Sequence, residues 1–223
     1  EEGRAPFGLP ADATVLLVVG GSTGARSINR AVVSNIGALL SLPAPRADSV
    51  RVLHVTGNRD WPEMQAAREA MGPDLRARYT AVPYLHEEMA DAMAAADLVV
   101  CRSGASALGE LPALGLPAVL VPYPHAWRYQ RVNAQYLVAH GAAVMLEDGQ
   151  LNHPEQGLVR VVASLLADPA RLSAMREASR RLGTETGGGA RRIAEVVWRI
   201  ASAQASRRGA DNACMRADST VLC

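Results

Sequence analysis

A single phenylalanine stands among 223 residues, and aromatic side chains together make up 4% of the chain. Proteins that hold single-stranded nucleic acid stack its bases on such rings, so a base-stacking surface is not expected. An excess of charge of one sign is lacking too. The 23 basic and 22 acidic residues leave a net charge of +1, which exerts no general pull on nucleic acid. Cysteine is scarce: Cys101, Cys214 and Cys223 are odd in number, lack metal-ligand spacing, and point to a reducing compartment rather than a disulfide framework. No apolar run approaches the length of a membrane span, and no charged start leads into an apolar segment as in a secretory signal. A cytoplasmic chain is expected. The opening stretch Glu1 to Pro6 has no Met and reads as a linker, which points to a segment missing upstream.

What is present is a globular composition, 49% hydrophobic and 20% charged, long enough for one large domain or two small ones. Thr14 to Val19 is a continuous β-rich apolar run, as a strand covered on both faces requires. The segment from Ser27 to Leu40 then carries apolar residues at helical spacing. The unit recurs as Val52 to Val55 before a helix from Trp61 to Met71, and as Tyr79 to Val82 before a helix from His86 to Ala95. Leu98 to Cys101, Pro117 to Val121 and Ala142 to Met145 read as further strands, with a helix from Arg128 to Ala139 before the last. Three helices follow, from Pro154 to Ala167, Pro169 to Leu182 and Gly189 to Ala203. Strands alternating with helices predict an α/β fold with a doubly wound, Rossmann-like parallel sheet. The domain organisation expected is a linker remnant at 1–12, a folded domain at 13–204 and a disordered tail at 205–223.

In such sheets the ligand lies beyond the carboxyl ends of the strands, which singles out the loops after Val19, Cys101 and Val121. The first, Gly20-Gly21-Ser22-Thr23-Gly24-Ala25, offers backbone N–H groups, hydroxyls and a helix start, which suit a pyrophosphate or a sugar. It lacks the Lys-Ser/Thr of a P-loop and the spacing of the dinucleotide fingerprint. The second, Arg102 to Ser106, makes another anion site by the same reasoning, and Glu110 stands one helical turn beyond Ser106. A carboxylate repels phosphate but accepts hydrogen bonds from hydroxyls, so the pair suits a ligand with phosphate at one end and a sugar diol at the other. The third loop leads to a helix where Gln130 and Asn133, three apart, share a face and can fix sugar hydroxyls. His54, in an apolar strand, reads as a core histidine with its partners satisfied, and Glu87 and Glu88 suit a helix N-terminus. There is no D-x-D pair, no metal-spaced cluster and no G-x-S-x-G elbow, so neither a metal, a cofactor nor a hydrolase triad is implied.

Together these loops resemble the C-terminal half of the MurG family of bacterial glycosyltransferases. The resemblance rests on Gly20-Gly21-Ser22-Thr23-Gly24-Ala25-Arg26-Ser27-Ile28-Asn29, on Ala96-Asp97 through Ala105, and on Glu110 through Pro117, His125, Gln130 and Asn133-Ala134, and it covers residues 10–201. It implies a GT-B enzyme in which this half binds UDP-N-acetylglucosamine and a missing N-terminal half binds the lipid-linked acceptor, making lipid II from lipid I at the cytoplasmic face of the membrane. By that likeness the Gly20-Gly21 backbone and Ser22 lie near the diphosphate, and Ser103-Gly104-Ala105 present N–H groups to the diphosphate or sugar. Glu110 holds the ribose hydroxyls, Gln130 and Asn133 recognise the N-acetylglucosamine, and the Leu85-His86 backbone and Met89 flank uracil. The chemistry implied is inverting displacement at the anomeric carbon, with the base in the absent half. Ala107, Gly109 and Tyr129 depart from the family's usual residues. That keeps open a GT-B transferase using another UDP-sugar or lipid acceptor, and the missing half keeps open a non-catalytic nucleotide-sugar-binding module.

Overall fold

Side chains alternate across a strand, so a run without polar positions needs cover on both faces. Within Thr14–Val19 (β1), the residues from Val15 to Val19 are such a run. In the computed structural model, which describes residues 2–21, 23–44, 49–126, 128–186 and 192–202, β1 lies inside a six-stranded sheet. Leu16 and Val18 enter one core and Leu17 the other, all fully buried. Around β1 the chain builds α1 (Arg26–Ser34), α2 (Ile36–Leu40), β2 (Val50–Val55), α3 (Trp61–Glu69), α4 (Pro73–Arg76), β3 (Tyr79–Val82) and α5 (Glu88–Ala95). It continues through β4 (Leu98–Cys101), α6 (Ala107–Leu114), β5 (Ala118–Leu120), α7 (Tyr129–Ala139), β6 (Ala143–Met145), α8 (Leu158–Leu166) and α9 (Pro169–Thr186).

The strand order is β3-β2-β1-β4-β5-β6, every neighbouring pair parallel. This is the doubly wound, Rossmann-like α/β sheet expected from the alternation. One core gathers Leu16, Val18, Leu98 and Val100 with α1, α2 and α8; the other gathers Leu17, Leu53 and Val99 with α5, α6 and α7. Strand order reverses between β1 and β4, which opens a crevice at their carboxyl ends.

Several boundaries differ from the sequence expectation, each for a local reason. The helix expected from Ser27 to Leu40 is two helices, because Asn35 leaves helical geometry (φ −114°, ψ 14°) and its side chain donates to the Ala31 carbonyl. The helix expected from Pro154 starts at Leu158. His153 Nδ1 accepts the N–H groups of Glu155 and Gln156, both at 3.1 Å, and so folds that stretch into a turn first. Likewise α5 begins at Glu88 rather than His86, since the Glu88 carboxylate accepts the His86 N–H at 3.2 Å. The short α4 has no counterpart in the sequence expectation. Within the stretch expected as a linker, Glu2–Phe7 forms a 3₁₀ turn whose Arg4, 8% exposed, donates to the Pro10 and Ala13 carbonyls and to Asp97.

The described residues up to Glu185 form one compact unit, and those from Thr186 on belong to a second. In the second, residues 192–202 are helical; Gly189 and Ala203, the expected ends of that helix, and the tail 205–223 lie outside the described residues.

Candidate functional site

At the crevice between the ends of β1 and β4 lies a cavity of about 540 Å³, walled on the far side by the start of α5 and the first turn of α6. Of the residues singled out in the sequence, Gly21, Leu85, His86, Met89, Gly104 and Glu110 line it. A Cβ added to Gly21 or Gly104 would meet nothing within 4 Å, so at both positions bare backbone faces open space that a ligand can enter. Ser106 also lines the cavity, as the expected one-turn spacing from Glu110 requires. Glu110 is exposed, and no described residue is hydrogen-bonded or ion-paired to its carboxylate. Tyr84, which sequence reading missed, joins the wall with its ring edge-on to His86 at 4.8 Å between centroids. The His86 N–H, expected to face a ligand, is occupied by Glu88.

The remaining candidates sit beside the cavity rather than on its wall. Gly20 lies underneath, its N–H bonded to the Val55 carbonyl at 2.9 Å. Ser22 lies outside the described residues. Ser103 is fully buried: its hydroxyl donates to the Gln130 carbonyl at 2.7 Å, and its own carbonyl accepts from Asn133 Nδ2 at 3.0 Å. Gln130 Oε1 in turn accepts the Tyr123 N–H at 2.9 Å. These bonds lock the loop after β4 to the loop and helix after β5, and they bring Ser103, Gln130 and Asn133 together. Ala105 lies in the exposed turn entering α6.

The glycine-rich loop after β1 has its own support. Asn29, buried on α1, donates through Nδ2 to the Thr56 carbonyl at 2.8 Å and to Asp60 at 3.0 Å, while its Oδ1 contacts His54 Nε2 at 2.9 Å. Because the Asn29 amide N–H groups are spent on those oxygens, the His54 Nε2–H donates to Asn29 and His54 Nδ1 accepts from the Tyr79 hydroxyl at 2.8 Å. His54 is thus the satisfied core histidine that its apolar strand suggested; burial holds its pKa down at about 3, so it stays neutral. Neither α1 nor α6 has a side-chain cap at its N-terminus. The first-turn N–H groups of α1 therefore remain for an anion, whereas those of α6 are spent on the carbonyls of Gly104, Ala105 and Ser106, so that at α6 the positive dipole end and the turn before it face the cavity.

A second network was not legible as function. Arg102, at the cavity wall, donates to Asp148 (2.5 Å), to the Ser27 hydroxyl (2.8 Å) and to the carbonyls of Val121 and Pro122, and lies over the Tyr123 ring. Asp148 is far off in sequence, so no local spacing signals the pair. Cys101 also lines the cavity, but burial, reinforced by the Glu110 charge, pushes its thiol up to about 12, so it is an inert wall atom rather than a nucleophile. Among the described residues no group of three His, Cys, Asp or Glu side chains is placed to hold a metal ion, and no helix is long and apolar enough to cross a membrane.

Comparison with known proteins adds the following. A family described as "Glycosyltransferase family 28 C-terminal domain" matches residues 15–197. A curated relative from Desulforudis audaxviator is 44% identical over 186 residues, which cover 82% of this chain and 48% of the relative. A second, from Mycobacterium tuberculosis, is 43% identical over 206 residues, covering 92% of this chain and 46% of the relative. Both are named UDP-N-acetylglucosamine–N-acetylmuramyl-(pentapeptide) pyrophosphoryl-undecaprenol N-acetylglucosamine transferase. The crystal structure of Acinetobacter baumannii MurG superposes with a TM-score of 0.59 at 27% identity, covering 82% of this chain and 48% of that one. A kitacinnamycin glycosyltransferase shares the fold at 23% identity and a TM-score of 0.57, covering 85% of this chain and 44% of that one. The chain spans about half the length of the curated relatives it matches.

Proposed function

Since the chain belongs to the glycosyltransferase family 28 C-terminal domain family, we propose that it is the donor-binding half of a GT-B enzyme that moves N-acetylglucosamine from UDP-N-acetylglucosamine to lipid I, forming lipid II in peptidoglycan synthesis. The observation that carries the reading is the pairing within one cavity of Glu110, whose carboxylate has no partner among the described residues, with bare glycine backbone at Gly21 and Gly104. A carboxylate suits the ribose diol, and the backbone N–H groups suit the diphosphate.

The sugar end follows from bonds already made. With Gln130 Oε1 occupied by the Tyr123 N–H, its amide is left to donate; with Asn133 Nδ2 on Ser103, its Oδ1 is left to accept. One donor and one acceptor side by side match the carbonyl and N–H of an acetamido group, or two neighbouring hydroxyls. Leu85 and Met89 supply apolar walls for uracil, and the backbones of Gly21 and Gly104-Ala105 face the diphosphate, with Gly20 and Ser103 supporting them from below.

Displacement at the anomeric carbon leaves negative charge on the departing diphosphate. Fixed N–H groups at the start of α1 and in the Gly104-Ala105-Ser106 turn before α6 stabilise that charge without reorganising. The acceptor hydroxyl and the base that deprotonates it belong to the other half of the enzyme, which meets its lipid-linked acceptor at the cytoplasmic face of the membrane as a peripheral protein.

Titration of UDP-N-acetylglucosamine by calorimetry, with UDP-glucose as competitor, tests the reading. Glu110→Ala is expected to lower donor affinity about tenfold, the loss of hydrogen bonds to a charged acceptor. Unchanged affinity in Glu110→Ala, or equal affinity for the two sugars, would count against the ribose and acetamido assignments respectively.

A further inference from the structure

We propose that Arg102 is a positioning residue: its guanidinium braces the loops after β1, β4, β5 and β6 into one frame, and its charge is consumed there rather than offered to the donor's diphosphate. The inference rests on the donor-site reading above. An arginine in the loop that closes an anion pocket would ordinarily be assigned to the anion itself. Here its hydrogen bonds point elsewhere.

Nη1 meets Asp148 and the Val121 and Pro122 carbonyls, while Nη2 meets the Ser27 hydroxyl, which itself donates to the same Asp148 oxygen at 2.6 Å. The Tyr123 ring centroid lies 5.2 Å from the guanidinium carbon. Ser27 belongs to the first turn of α1, Arg102 to the loop after β4, Val121 to Tyr123 to the loop after β5, and Asp148 to the 3₁₀ turn after β6. Both side chains of the ion pair are mostly withdrawn from water, at 15% and 19% exposure, so the pair is screened less than a surface bridge. The frame has two consequences for the site. Holding Ser27 fixes the α1 N-terminus against the α6 N-terminus, and holding Tyr123 fixes the N–H that orients Gln130.

Only a planar fork with several fixed donors can do this; a lysine ammonium is a point charge. The chain has no lysine, and all 23 of its Lys-or-Arg positions are arginine.

The test is a double-mutant cycle in the 223-residue chain with Arg102→Met, Asp148→Asn and the pair, together with Arg102→Lys and Ser27→Ala. UDP-N-acetylglucosamine, UDP and uridine are titrated, and thermal unfolding is followed for each variant. If Arg102 braces, Arg102→Met and Asp148→Asn each weaken UDP-N-acetylglucosamine about tenfold, and the double variant loses no more than the worse single one. Arg102→Lys does not rescue, and uridine, which reaches Leu85, Met89 and Glu110 but not the diphosphate or sugar side, binds as in the wild type. If Arg102 instead contacts the diphosphate, Asp148→Asn frees it and affinity holds or rises, and Arg102→Lys restores part of the UDP affinity. That result overturns the proposal. Should Arg102→Met unfold, Asp148→Asn and Ser27→Ala carry the decision: unchanged donor affinity in both overturns it. A wild-type chain that binds no UDP-sugar defeats the donor reading itself, whereas a wild type that binds beside variants that bind equally well defeats only the brace.

Discussion

Gly57→Ala is expected to destabilise the fold by about 2–5 kcal/mol, summing a left-handed backbone penalty with overpacking against main chain. Gly57 sits at φ +82°, and a Cβ there would lie 2.1 Å from the Gly24 backbone nitrogen and 2.3 Å from its Cα. No rotamer change relieves a clash with backbone, so the turn after β2 and the glycine-rich loop after β1 must part. The second loss is therefore in binding: the α1 N-terminus is displaced and UDP-N-acetylglucosamine affinity falls with stability. Gly72→Ala is the control, since a Cβ there meets nothing within 4 Å and its φ of −61° suits alanine. Urea unfolding of the two variants beside the wild type, with donor titration at a temperature where both remain folded, separates these effects. If Gly57→Ala proved as stable as Gly72→Ala, the two loops would not be clamped as the geometry has them.

Acid is expected to weaken the protein through His54. In the unfolded chain this imidazole takes a proton near its ordinary 6.5, whereas burial holds the folded pKa at about 3. Between those values the unfolded state binds one more proton, so stability rises with pH and falls as pH drops. The slope from this one group is about 1.4 kcal/mol per pH unit below pH 6.5, continuing towards pH 3. His54→Gln can still donate to Asn29 and accept from Tyr79 but does not titrate, so its stability from pH 7 to 5 should fall less steeply than the wild type's by that amount. His54→Leu leaves the Asn29 Oδ1 and the Tyr79 hydroxyl buried without partners, at a cost of about 2–5 kcal/mol. Parallel pH slopes in the wild type and His54→Gln would show that His54 is not the group responsible.

The periodic parts of the fold were legible because burial writes itself into side-chain type. β1, β3 and β4 occupy the residues that their apolar runs marked, and Asn35 divides a helix whose apolar spacing runs unbroken across it, because a side-chain bond to Ala31 overrides periodicity. At the site, Glu110 and Ser106 came together because they lie one turn apart on one element. Gly21 and Gly104 came together because parallel strands deliver their loops to a common edge. Ser103, Gln130 and Asn133 could be picked out individually, yet the bonds that orient their amides are made across two loops. Arg102 and Asp148 show where reading along a chain stops: 46 residues separate them, and neither has a local partner that marks its role. The relatives supply the family, but the orientation of the Gln130 and Asn133 amides, one accepting from Tyr123 and the other donating to Ser103, comes from the hydrogen bonds of this chain alone.

The strand order has a last consequence, for the time course of folding. Leu16 of β1 pairs with Val52 on one side and with Leu98, 82 positions away, on the other. The β1-β2-β3 half closes over the shorter loops and should assemble first, since long-range pairings are reached more slowly. Until β4 docks, that half carries β1, apolar from Val15 to Val19, as an open edge. Its unpaired N–H and C=O groups then face any other chain in the same condition. A strand that is paired on both sides in the native state is adhesive on the way there, so refolding yield should fall with protein concentration before native stability is ever tested.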